Sequence, residues 1–200
     1  MTKVSKELVA TARLQKTTAK PGAGERSALD EFVGAVAGRS MLLVDVSSSM
    51  CGAIRSGERR IDALRKVVEL LRETNPVPVV AFGGHSEMLE HENVAVVDDI
   101  PEPSGGTPMH DGISFCAAKG ATHIVLVTDG VADSESAAVA AAQHFGGIID
   151  AFYIGDGNDK GARFCARLAK LTGGTANVED LNDTKLLHSK IAGLLPEVCD

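Results

Sequence analysis

Several kinds of protein are excluded by what the 200-residue sequence does not contain. No apolar run approaches the roughly 18 residues that a membrane-spanning helix requires, and the longest apolar stretches are strand-sized. The first residues, MTKVSKELVATARLQK, are polar and lack the apolar centre of a secretory signal, so neither membrane insertion nor conventional secretion is expected. Its four cysteines, Cys51, Cys116, Cys165 and Cys199, are widely separated, and no C-x-x-C pair occurs. Structural zinc and a redox dithiol are therefore unsupported, and reduced thiols in the cytoplasm are the simplest expectation. There is no excess of basic residues: the net charge is −7, which argues against nucleic acid as a partner. No internal repeat or low-complexity tract occurs, and the 24% charged and 44% hydrophobic content is that of a globular chain.

The charge is unevenly distributed. Residues 1–30 carry six Lys/Arg against three Asp/Glu, leaving 14 against 24 in the remainder. Residues 1–38 accordingly read as a basic leader, with helical patterns at 3–16 and 27–37 around a Pro/Gly linker at 20–24. Residues 39–200 read as one domain.

In that domain apolar runs alternate with helical patterns. Residues 41–46 (MLLVDV), 77–82 (VPVVAF), 124–128 (IVLVT) and 148–154 (IIDAFYI) read as strands buried on both faces, with a further short strand near 175–178. Helices are expected over 60–73, from about 111, over 135–144, over 160–171 and through Leu186, Leu187, Ile191 and Leu194. In the fourth of these, Phe164, Leu168 and Leu171 are expected on one face, and Gly173-Gly174 is expected to end the helix in a left-handed cap. This alternation predicts an α/β fold with a doubly wound, mostly parallel sheet flanked by helices. Such sheets bind ligands at the C-terminal ends of their strands, near the point where strand order reverses.

Three loops at that edge carry oxygen ligands. The first strand ends in Asp45-Val46-Ser47-Ser48-Ser49, and strand alternation sets Asp45, Ser47 and Ser49 on one side. One carboxylate and two hydroxyls suit a hard divalent cation; equally, a Ser-rich turn capping the next helix would have this composition. Ser104-Gly105-Gly106-Thr107-Pro108 adds the Thr107 hydroxyl, and Thr128-Asp129-Gly130 sets Asp129 at the end of a core strand.

These motifs resemble the von Willebrand factor type A domain, whose metal-ion-dependent adhesion site uses an Asp-x-Ser-x-Ser motif, a distant Thr and a distant Asp. Asp45, Ser47, Ser49, Thr107 and Asp129 fill all five positions, and the resemblance extends over about residues 40–195. It implies a Rossmann-like fold and a bound Mg²⁺ or Mn²⁺, with Ca²⁺ also possible. It further implies contact of Ser47, Ser49 and Thr107 with the ion, while Asp45 and Asp129 act largely through water. The expected partner is another protein offering an Asp or Glu carboxylate, and the expected role is that of a binding module rather than an enzyme.

Neighbouring residues are read more simply. Cys51 is expected to be a small buried side chain beside the metal loop. Arg55, Arg59 and Arg60 read as a solvated helix start, with Arg55 also a candidate contact for an acidic ligand, and His110 as a candidate at the edge of the ligand face. His85 and His91, near Glu87, Glu90 and Glu92, have no helical metal-ligand spacing and read as polar surface. An alternative reading starts from Gly155-Asp156-Gly157-Asn158-Asp159, which looks like a metal motif of haloacid dehalogenase-like phosphatases, with Asp45 as nucleophile. Those enzymes need a second Asp two residues later, where Ser47 stands, and a wider spacing than that of Asp156 and Asp159. No nucleophile elbow or phosphate-binding Gly-x-x-x-x-Gly-Lys loop is present. A third reading keeps the metal but makes it purely structural, tying the three loops together.

Overall fold

The computed structural model describes residues 39–84, 94–179 and 181–195. The leader, His85, His91 and Cys199 lie outside the described residues. Six strands, β1 (Ser40–Asp45), β2 (Val79–Phe82), β3 (Val94–Val96), β4 (His123–Thr128), β5 (Ile148–Ile154) and β6 (Ala176–Glu179), form one sheet in the order β3-β2-β1-β4-β5-β6. Every neighbouring pair is parallel except β2 with β3. This is the doubly wound architecture that the sequence predicts.

Both faces of the sheet are covered, which explains the unbroken apolar strands. Alternation along β1 sends Met41 and Leu43 to one face and Leu42 and Val44 to the other. Helix α1 (Arg60–Thr74) buries a stripe of Ile61, Leu64, Val67, Val68 and Leu71 against the second face, joined by Leu187 and Ile191 of α5 (Thr184–Ala192). On the first face lie α2 (Met109–Ala118), α3 (Glu135–Phe145) and α4 (Lys160–Thr172). Helix ends follow local chemistry. The Ser134 hydroxyl accepts from the Ala137 amide to start α3, Asp183 accepts from Leu186 to start α5, and Gly173 closes α4 with φ +81°.

The edge strand β3 is not announced by the sequence, because three residues are too few to show a period. Two expectations need correction here. Leu171 is not on the buried face of α4 but 43% exposed, since the stripe runs through Phe164, Cys165, Leu168 and Ala169. Cys51 is exposed: the 3-10 turn Ser48–Cys51 rotates Met50 into the core and carries Cys51 outward. Among the described residues no helix is long and apolar enough to cross a membrane.

Candidate metal centre

Strand order reverses between β1 and β4, whose connections leave in opposite directions, and the loops after these two strands meet at their shared C-terminal edge. Asp45 is the last residue of β1, wholly buried, and its Oδ1 accepts the Ser47 amide at 2.8 Å. That bond folds the chain back so that the Ser47 and Ser49 hydroxyls lie 2.9 Å apart. Ser49 donates to Asp129 Oδ1 at 2.6 Å, and the Thr128 hydroxyl donates to Asp45 Oδ2 at 2.5 Å. Asp45, Ser47, Ser49 and Asp129 therefore share one hydrogen-bonded cluster, to which Thr128, a residue that sequence reasoning missed, adds its bond to Asp45.

Thr107 reaches the cluster from the glycine loop. A side chain at Gly130 would begin 3.2 Å from Thr107 Oγ1 and 3.7 Å from Asp45 Oδ2, so the absence of one lets these oxygens share a small volume. The loop is anchored by Ser48 N–H donating to Gly105 O, by Gly84 N–H donating to Ser104 O and by Ser104 N–H donating to Val46 O. The Asp133 amide donates to Thr107 O at 3.0 Å, and the Asp133 carboxylate covers Gly106. Asp133 is an exposed third acid at the rim that sequence reasoning missed.

Four of the five predicted residues (Asp45, Ser47, Thr107 and Asp129) are buried, whereas Ser49 is exposed and leaves the cluster open to solvent on its side. Burial pushes the Asp45 carboxyl up to about 6, against the opposing hydrogen bonds from Thr128 and Ser47. Asp129 instead has a cation. Nη1 of Arg60, the first residue of α1, pairs with Asp129 Oδ2. The sequence reading placed Arg60 on a solvated helix start; its side chain is 30% exposed and turned onto the strand ends.

The remaining candidates are more peripheral. Arg55 is exposed and lines a cleft of about 540 Å³ with Arg60, Asp156 and Glu179. His110 is the second residue of α2, its Nε2 3.3 Å from Asp111 Oδ1; its Nδ1 is shielded from solvent with no hydrogen-bond partner among the described residues. In the Gly155–Asp159 loop, Asp156 Oδ1 accepts both the amide and the side-chain nitrogen of Asn158, and Asp159 accepts from the Tyr153 hydroxyl.

The donor set suits a hard cation in kind, because every candidate ligand atom is oxygen and one buried carboxyl, Asp45, has no cation paired with it among the described residues. Among the described residues no group of three or more His, Cys, Asp or Glu is placed to hold a metal, so any ion here depends on the hydroxyls.

No protein-family model matches this chain, and no curated protein matches it. Among solved structures, the type II dehydroquinase from Propionibacterium acnes aligns with a TM-score of 0.48 and 16% identity, over 78% of this chain and 97% of its own. At that level it says nothing about this chain. A von Willebrand factor type A protein from Catenulispora acidiphila aligns with a TM-score of 0.58 and 16% identity over 78% of this chain. The alignment spans 42% of that protein's length, and at such identity what is shared is the fold: this chain has a Rossmann-like α/β fold similar to that of a von Willebrand factor type A domain.

Proposed function

We propose that this chain is a metal-dependent protein-binding module, in which Asp45, Ser47, Ser49, Thr107 and Asp129 hold a divalent cation that receives an Asp or Glu carboxylate of a partner. The observation that carries this reading is the meeting of two carboxylates and three hydroxyls from three loops at the reversal of strand order. Mg²⁺ or Mn²⁺ is the expected ion, with Ca²⁺ a further possibility, since all the donors are hard oxygens.

The roles follow from charge. Ser47, Ser49 and Thr107 are neutral donors, so they would position an ion without cancelling its charge. Asp45 and Asp129 supply the two negative charges from behind, held by Thr128, Ser47 and Ser49. Bound there, the ion would supply a Lewis-acidic charge that favours an incoming carboxylate over a neutral group. The exposed Ser49 marks the side from which such a group would arrive, with Arg55 and His110 as flanking contacts. Phosphatase chemistry finds less support, because Ser47 stands where a general acid is needed and Asp156 is tied to its own loop. The free thiols Cys51, Cys116 and Cys165 suit a reducing cytoplasm, where we place the protein.

The test is a thermal-shift titration of wild type, Asp45→Ala and Ser49→Ala with Mg²⁺ and Mn²⁺, followed by binding to an array of Asp- and Glu-containing peptides with and without EDTA. A ligand that binds only the folded state raises the melting temperature as its concentration passes Kd. We expect a shift in wild type that both variants lose, and EDTA-sensitive capture of acidic peptides. A shift without capture would leave the ion a structural tie between the three loops; no shift at millimolar metal would overturn the reading.

A further inference from the structure

We propose that Arg60 is a tethered counter-ion that competes with the divalent cation for Asp129. The inference rests on the metal-site reading and concerns what occupies the site before an ion arrives.

The Asp129 side chain is fully shielded from solvent, and a buried carboxylate without a compensating charge is strongly disfavoured. One of its oxygens accepts from Ser49, and the other is paired with the Arg60 guanidinium. The neighbouring arginines are engaged elsewhere: Arg59 with Asp62 and Glu102, Arg65 with Asp62, Glu102 and the Ile100 carbonyl. Of the arginines in the first two turns of α1 and just before it, Arg60 alone turns to the strand ends.

A guanidinium on Asp129 Oδ2 answers the charge a divalent cation would use, and two cations at one carboxylate repel each other. Binding the ion therefore requires Arg60 to withdraw. The structure provides the path. Backbone at Arg60 is fixed by its amide, which donates to Gly52 O at 2.9 Å, so α1 can stay in place while the side chain moves. That side chain already borders the 540 Å³ cleft, which Asp156 and Glu179 also line with negative charge at the same edge of the sheet. Ion entry and release of Arg60 into the cleft are thus one exchange, and the metal-free protein keeps its buried carboxylate paired.

The experiment is calorimetric titration of the full chain with Mg²⁺ and with Mn²⁺, using wild type, Arg60→Gln and Arg60→Lys, together with metal-free melting curves. Arg60→Gln should bind the ion about tenfold more tightly, as expected when one charge-assisted hydrogen bond no longer has to be displaced. It should melt at a lower temperature than wild type without metal, and saturating Mg²⁺ should narrow that gap. Arg60→Lys retains a point charge without the planar fork, so it should fall between the two; it also carries the test if Arg60→Gln does not fold. Ion binding by wild type with equal or weaker binding by the variants would overturn the counter-ion role and leave the metal site standing. No binding by any of the three proteins would overturn both.

Discussion

Asp45 and Thr128 close the C-terminal ends of two adjacent parallel strands through a hydrogen bond of 2.5 Å from the Thr128 hydroxyl to Asp45 Oδ2. Burial nevertheless dominates at Asp45 and pushes its carboxyl up to about 6, from about 4 in an unfolded chain. Between those values the folded state binds the additional proton, so metal-free stability falls as pH rises through this window, by on the order of 3 kcal/mol. Ion binding needs the carboxylate, so Mg²⁺ affinity should run the other way, rising from pH 5 and levelling off above about pH 7. The check compares wild type with Asp45→Asn. Metal-free melting of wild type should lose ground relative to the variant as pH rises from 4.5 to 7, and a constant difference would contradict the assignment.

Thr128 serves two partners, because its oxygen also accepts the Gly130 amide at 3.1 Å. Thr128→Val keeps the shape and removes both bonds, leaving a buried carboxylate oxygen and an amide unpaired. The expected loss is about 1–3 kcal/mol, read from the denaturant midpoint. Thr128→Ser, which retains the hydroxyl, should recover most of it.

A second polar network lies at the other end of the same strands. Asp150 Oδ1 accepts the Thr175 amide at 2.7 Å and hydroxyl at 2.6 Å, while Oδ2 lies 2.8 Å from His123 Nε2, whose other ring nitrogen meets Ser40 at 3.1 Å. Burial raises the Asp150 carboxyl, but the Thr175 and His123 contacts outweigh it and hold it below the usual range. With a lowered folded value, its contribution is complete above about pH 4 and is lost as pH falls through that value. Asp150→Asn should cost about 2–3 kcal/mol at pH 7, the scale of hydrogen bonds to a charged group. The gap from wild type should narrow on acidification below pH 3, as followed by urea unfolding.

The glycine loop that carries Thr107 depends on a close backbone crossing. Gly105 has φ +64°, and a side chain on it would begin 2.3 Å from Gly84 Cα. Gly105→Ala therefore combines an unfavourable backbone conformation with a clash, and should lower both stability and Mg²⁺ affinity. Gly120 is the control: its φ is +81°, but nothing lies within 4 Å of an added side chain. Gly120→Ala should cost about 1 kcal/mol and leave ion affinity unchanged in the same titration.

Much of this arrangement is legible in the sequence because it is local. β1, β4 and β5 announce themselves as continuous apolar runs, and the Asp-x-Ser-x-Ser spacing sets three oxygens on one turn. What escapes is non-local or a matter of rotamer. Arg60 meets Asp129 across 69 positions, and a run of arginines at a helix start does not say which one turns inward. Cys51 differs from Met50 only by one step of a 3-10 turn, which inverts their burial. Thr128 reads as one more strand residue until the register sets it beside Asp45.

Helix α4 shows the same limit and gives a sharp test. Leu168 and Leu171 are three residues apart, so helical spacing groups them on one stripe. Leu168 is nevertheless fully buried, whereas Leu171 is 43% exposed and lines a shallow surface groove with Glu135, Val139 and Lys170. The stripe drifts around the helix because 3.6 residues complete a turn, and by the last turn Ala169 has taken the inward position. Leu168→Ala should therefore cost about 2–5 kcal/mol, the range for emptying a packed leucine site. Leu171→Ser should change stability by less than about 0.5 kcal/mol, as at other surface positions. Comparable losses in the two variants, measured by chemical denaturation, would mean that the groove is occupied in solution and that Leu171 belongs to a covered face.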